Sequence, residues 1–151
     1  MSDEASPHVW ISLTIMGDDL DPDELTARLG VEPTSHHRVG DPIVGDKGRR
    51  RRARWRVTIG PRDTVQIDGM LNELLAHMAP GSDRMKGLCG ELGLEATLTC
   101  AVEPVSAVTP FVYFPPAVVQ WAADHSVAID VDIMIWRDGD SDDPAPSTAG
   151  G

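Results

Sequence analysis

Cysteine is nearly missing from this 151-residue chain, which has only Cys89 and Cys100. Two thiols exclude a disulfide-dense scaffold, and both fall at apolar positions of their elements, where they read as small buried side chains. No run of apolar residues approaches the length of a membrane span. Met1 to Pro7 has neither the basic start nor the long apolar stretch of a signal peptide, so cytoplasmic residence without a membrane partner is expected. Catalytic signatures are also missing. There is no Gly-x-Ser-x-Gly elbow, and the glycine-rich stretch from Gly40 to Arg49 lacks the Gly-Lys-Ser/Thr ending that a phosphate loop needs to hold magnesium. The aspartates at 19, 21 and 23 and at 138, 140 and 142 mimic the start of a calcium loop. Neither set has Gly at the sixth place or Glu at the twelfth, so capping and a solvated tail explain them. No metal and no cofactor are expected.

Positive charge is scarce overall but concentrated. Thirteen Lys and Arg face twenty-four Asp and Glu, a formal charge of -11, which argues against nonspecific nucleic-acid binding by the whole molecule. Residues 1–24 contain seven acids and no base, whereas residues 28–56 contain nine of the thirteen bases. Residues 124–143 return to seven acids against Arg137. Six of the thirteen bases lie in Gly48-Arg49-Arg50-Arg51-Arg52-Ala53-Arg54-Trp55-Arg56-Val57. In a strand, Ala53, Trp55 and Val57 face one way while Arg52, Arg54 and Arg56 face the other, roughly 7 Å apart.

The alternation of Val9, Ile11, Leu13 and Ile15 predicts a half-buried strand. Asp21 as N-cap, Pro22 at the first helical position, Leu25 and Leu29 on one face and Gly30 as terminator predict a short helix. From Val31 to about Arg51 the rhythm stops, which predicts a long mobile loop. The basic strand runs from about Arg52 to Ile59. Ile67, Leu71, Leu74, Leu75 and Met78 then predict the longest helix, behind an Asp63 or Thr64 cap, and Met85, Leu88, Cys89 and Leu92 a shorter one. Leu94 to Val102 alternates as a third strand, Phe111 to Phe114 offers a short extended edge, and a helix opens at Pro115-Pro116. The last strand is expected over Val127 to Trp136, with Val127, Ile129, Val131, Ile133 and Ile135 inward and Asp130, Asp132 and Trp136 outward.

One α+β domain over residues 8–137 is therefore expected, with disordered flanks at 1–7 and 138–151. Its architecture is expected to be a two-layer α/β sandwich, with a mainly antiparallel sheet of four to five strands and helices on one face. The ferredoxin-like plan, or a variant with an internal pseudo-repeat of strand, helix and returning strand, fits that pattern.

Leu20-Asp21-Pro22, Leu25, Leu29-Gly30-Val31, Pro33, the loop glycines, Trp55 and the closing Ile129-Asp130-Val131-Asp132-Ile133 resemble, in order and spacing, a bacterial family catalogued as domain of unknown function 4279. The likeness spans most of residues 9–134. It departs at Met134, where members carry an aromatic, and at the four consecutive arginines. The resemblance implies a small bacterial α+β domain and transfers no catalytic residue.

Three functional expectations follow from the residues. The first is a non-enzymatic binding module, an immunity or accessory protein, whose segregated charge steers it to a protein partner of basic character. The outward sheet face would serve it through Trp10, Arg52, Arg54, Arg56, Asp130, Asp132 and Trp136. A structural alternative has Arg54 and Arg56 pairing across strands with Asp130 and Asp132, or a second copy in a homodimer covering the tryptophans. The second expectation is a nucleic-acid or anionic-ligand binder using Arg49 to Arg56, with exposed aromatics as stacking platforms. The third is a small-molecule enzyme using the adjacent His36 and His37 as metal ligands or base.

Overall fold

A computed structural model of the protein describes residues 6–105, 108 and 110–134. The elements are β1 (His8–Gly17), α1 (Pro22–Leu29), β2 (Ser35–His37), β3 (Ala53–Asp63), α2 (Asp68–Met78), α3 (Ser82–Leu92), β4 (Glu95–Glu103), α4 (Pro116–Asp124) and β5 (Val127–Ile133). The fold is α+β, with one mixed five-stranded sheet in the order β2-β3-β1-β4-β5. β1 lies antiparallel to both β3 and β4, β2 is antiparallel to β3, and β5 runs parallel to β4. The two expected half-repeats therefore differ in direction, since β3 returns antiparallel beside β1 whereas β5 returns parallel beside β4.

The sheet has one dry face. Val9, Ile11, Leu13 and Ile15 of β1 join Ala53, Trp55 and Val57 of β3 and Ala96, Leu98, Cys100 and Val102 of β4 in a single core. Leu25, Leu29, Met70, Leu71, Leu74, Met78, Met85, Leu88, Val118 and Ala122 close that core from the helices, so all four helices cover the same face. Trp55 is its largest fully buried side chain. Its Nε1 donates to Thr26 Oγ1 at 3.0 Å, and Thr26 Oγ1 donates to Pro22 O at 2.9 Å, which ties β3 to the first turn of α1. Burial pushes the Cys100 thiol up to about 11 and raises that of Cys89, so neither supplies thiolate at neutral pH.

α1 forms as its sequence dictates. Asp21 Oδ1 accepts from the backbone N–H of Asp23 at 3.0 Å, and Gly30 closes the helix at φ +71°, a conformation glycine adopts without cost. Between α2 and α3, Gly81 lies so close to Leu29 that an added Cβ would sit 2.6 Å from the Leu29 carbonyl oxygen. Hence a side chain there would push α3 away from α1.

Four local expectations are corrected. The segment 31–51, expected as one long loop, contains β2 and a hairpin held by Gly40 N–H to Arg50 O and Arg50 N–H to Asp41 O, both 2.8 Å. β3 continues past Gly60-Pro61 to Asp63, so α2 starts only at Asp68, with no side-chain cap, and Thr64 instead makes a local turn with Gln66. Phe111 to Phe114 forms no sheet edge; Phe111 bridges to Gln66 and donates its N–H to Val65 O. Finally, only Val127 of β5 is buried, whereas Ile129, Val131 and Ile133 remain exposed. The expectations for residues 1–5 and for Ile135, Trp136 and the tail lie outside the described residues.

Candidate functional site

The face opposite the helices is built from alternate residues of five strands, and the pairing register fixes who meets whom. Arg56 of β3 lies opposite Thr14 of β1 on one side and Ser35 of β2 on the other. Arg54 lies between Met16 and His37. The next row towards the far end is Thr58, Ser12, Thr99 and Asp130, followed by Trp10, Ala101 and Asp132.

This register corrects the expected pairing of Arg54 and Arg56 with Asp130 and Asp132. β3 and β5 are separated by β1 and β4, roughly 14 Å, so the arginines and aspartates occupy opposite sides of the face. Trp10 also stands apart from the arginines. It is four residues along β1 from Thr14, roughly 13 Å, and no stacking platform beside the arginines is assembled among the described residues. Arg52 leaves the expected row because β3 begins at Ala53. Its guanidinium turns to Asp18 at 3.5 Å and Glu95 at 3.6 Å.

His36 and His37 do not face the same way. On a strand, neighbours point to opposite faces: His36 sits opposite Trp55, on the helix side, and His37 opposite Arg54, on the open side. No group of three or more His, Cys, Asp or Glu able to hold a metal occurs among the described residues.

What the fold does bring together is Arg54, Arg56 and His37. Arg56 Nε donates to Thr14 Oγ1 at 2.9 Å, which fixes its guanidinium over the middle of the sheet. Arg54 Nε and His37 Nδ1 are buried, and neither has a hydrogen-bond partner among the described residues. Two orphaned nitrogens therefore lie in one cross-strand pair. Burial, and then the neighbouring Arg56 and Arg50, push the Arg54 guanidinium down to about 10, and it stays charged at neutral pH. Burial also lowers Arg56. His37 is lowered by burial first, then by Arg54, Arg50 and Arg56, with Asp41 pulling the other way.

Elsewhere the acid-rich surface neutralises several of its arginines. Arg28 meets Glu91 at 3.0 Å, Arg38 meets Asp21 at 2.9 Å and Asp23 at 2.6 Å, and Arg62 forks onto Glu73. Arg38 thereby clamps the hairpin to the α1 cap, and its hydrogen bond holds the Asp21 carboxyl below its ordinary range. By contrast, no described carboxylate lies within ion-pair distance of Arg54 or Arg56. A half-buried guanidinium without a counter-charge is costly, so this pair is the place where the fold stores unfavourable electrostatics.

His37 gives that cost a pH dependence. Its proton affinity is lower in the folded chain than in the unfolded one, so between the lowered value and the ordinary histidine value, about 6.5, the unfolded ensemble binds more protons. The His37 contribution to stability is expected to be fully present above that window and to fall as pH drops through it. Urea unfolding between pH 7.5 and 5 measures the slope, and His37→Gln is expected to flatten it.

Sequence reasoning located the two arginines by alternation but missed His37 as their neighbour. No local signal marks it, because Ser35–His37 is polar and pairs with the basic strand through its backbone.

No helix of the described residues is long and apolar enough to cross a membrane. No curated protein and no solved structure matches the chain. A family model does match, over residues 7–136, and the chain belongs to that family, described as domain of unknown function (DUF4279).

Proposed function

We propose that this domain is a non-enzymatic binding module whose open sheet face takes a compact anionic group, a phosphate or carboxylate, between Arg54 and Arg56. The single observation that carries the reading is that two neighbouring half-buried guanidiniums on the open sheet face lack carboxylate partners in a chain of net charge -11, whereas Arg28, Arg38, Arg52 and Arg62 have them. An anion beside the two guanidiniums would offset the repulsion between their charges. On the sheet the basic set covers two rows, roughly 7 Å, with Arg50 beside it, and gives way to threonines and then to Asp130 and Asp132. Such a patch suits one anionic group better than a nucleic-acid strand, and Trp10 is too far away to stack a base beside the arginines.

The scaffold reading belongs to the same proposal. We read β1 to β4 as a ferredoxin-like core, supported by the order β4-β1-β3-β2 and its antiparallel neighbours, with α4 and β5 added at the β4 edge. The two free cysteines support a reducing, cytoplasmic setting. An immunity or accessory role towards a protein partner is the second reading, favoured by the exposed apolar side chains of β5.

Sulfate tests the anion site, because its charge does not change between pH 5 and 8. At constant ionic strength, sulfate is expected to shift the Arg54 and Arg56 Nε–Hε and His37 ring resonances saturably, with a Kd on the order of 1 mM. Affinity is expected to rise as pH falls through the His37 range, where a third positive charge joins the site. Shifts that grow linearly with sulfate, or that saturate around other arginines only, would sink the proposal.

A further inference from the structure

We propose that the outer edge of β5 is a docking edge for an extended segment of a basic partner protein, which joins the sheet as a sixth strand. β5 pairs with β4 on one side, and no described strand pairs with the other. The β4–β5 register places Ile129, Val131 and Ile133 beside Leu98, Cys100 and Val102, on the helix side of the sheet. Those β4 side chains are buried, yet Ile129, Val131 and Ile133 are 39%, 42% and 56% exposed. The helical layer stops short of them: α4 sends Val118 and Ala122 into the core and leaves Val119 exposed as well. A seven-residue edge without proline, lysine or a bulge lacks several devices that keep sheet edges unpaired, and free main-chain groups on such an edge bind extended peptides.

Charge chooses the occupant. The open-face side of the same strand carries Asp130 and Asp132, and no described cation lies within ion-pair distance of either. A second copy docking antiparallel about Val131 would set Asp130 opposite Asp132 twice, with like charges facing across the seam and -11 on each copy. The chain's own residues 137–151, with four acids against Arg137, have the wrong sign too. A segment alternating apolar residues with Lys or Arg satisfies both faces. Its apolar side chains extend the stripe of Ile129, Val131 and Ile133, and its cations meet the two aspartates.

The test uses the full chain and three blocked peptides: alternating Lys and Val, alternating Glu and Val, and the Lys-Val composition rearranged into two blocks. The alternating Lys peptide is expected to bind saturably, protecting from exchange those β5 amides that do not bond to β4. The Glu and block peptides are expected to bind at least about tenfold more weakly. Asp130→Lys together with Asp132→Lys, on the solvated face where the fold does not depend on them, should reverse the preference between the Lys and Glu peptides. Equal binding of all three peptides would overturn the proposal, as would exchange protection at the acidic α1 terminus instead of β5. Sedimentation showing a wild-type dimer that Val131→Lys dissociates would overturn it as well, by making a second copy the occupant.

Discussion

Arg54→Thr is expected to weaken sulfate binding more than tenfold while stabilising the free protein by about 1 kcal/mol. The two effects have one cause. Arg54 is half-buried, its Nε finds no partner among the described residues, and Arg56 and Arg50 repel it. Thr suits a strand, so the substitution removes the charge without penalising β3. Arg56→Thr separates the contributions. It loses the same positive charge but also the bond from Nε to Thr14 Oγ1, which contributes about 1 kcal/mol, so binding falls and stability stays near neutral. Removing Arg54 also lifts one of the forces that depress His37, so the His37 titration should move upward towards the ordinary histidine value. Equilibrium urea unfolding, sulfate titration and the ring titration of His37 read the three outcomes separately. A destabilised Arg54→Thr protein that still binds sulfate would make Arg54 a structural residue and remove the basis of the anion site.

How much of this was legible in the sequence depends on whether the signal was local. The Asp21 cap, Pro22 and Gly30 bracket α1 within ten residues, and the structure keeps all three roles. β1 and β4 are equally plain because each buries alternate residues against a continuous core. β2 left no trace: three residues paired through backbone bonds, with polar side chains, produce no hydrophobic rhythm. Alternation correctly sent Ile129, Val131 and Ile133 to the helix side. It says which face a side chain takes, not whether a helix reaches far enough to cover it, and α4 does not. The site shows the same division. The facing of Arg54 and Arg56 follows from period two, but their separation from Asp130 and Asp132 follows from strand order. Their proximity to His37 follows from a fold-back across seventeen residues, and Arg52 departs because Asp18 and Glu95 attract it from two other turns of the chain.

Trp55→Ala is expected to destabilise the domain by about 3 to 5 kcal/mol, a large part of the 5 to 15 kcal/mol that holds a domain of this size together. The indole is fully buried and sits where β3, β1 and α1 meet. Truncation removes its transfer free energy and leaves a cavity that rigid neighbours on the sheet cannot fill. It also removes the donor to Thr26 Oγ1, breaking the link from β3 to the first turn of α1. Trp55→Phe keeps most of the volume and loses the N–H, so its cost should be nearer 1 to 2 kcal/mol. The consequence reaches the open face, because Arg54 and Arg56 flank Trp55 on the same strand and keep their register only while Trp55 anchors it. In Trp55→Phe, sulfate affinity should therefore stay within about twofold of wild type, whereas Trp55→Ala should lose binding in proportion to its unfolded fraction. Chemical denaturation gives the first pair of numbers and sulfate titration the second. A Trp55→Ala protein as stable as wild type would mean that the core closes without the indole, and that α1, not Trp55, sets the register of the basic strand.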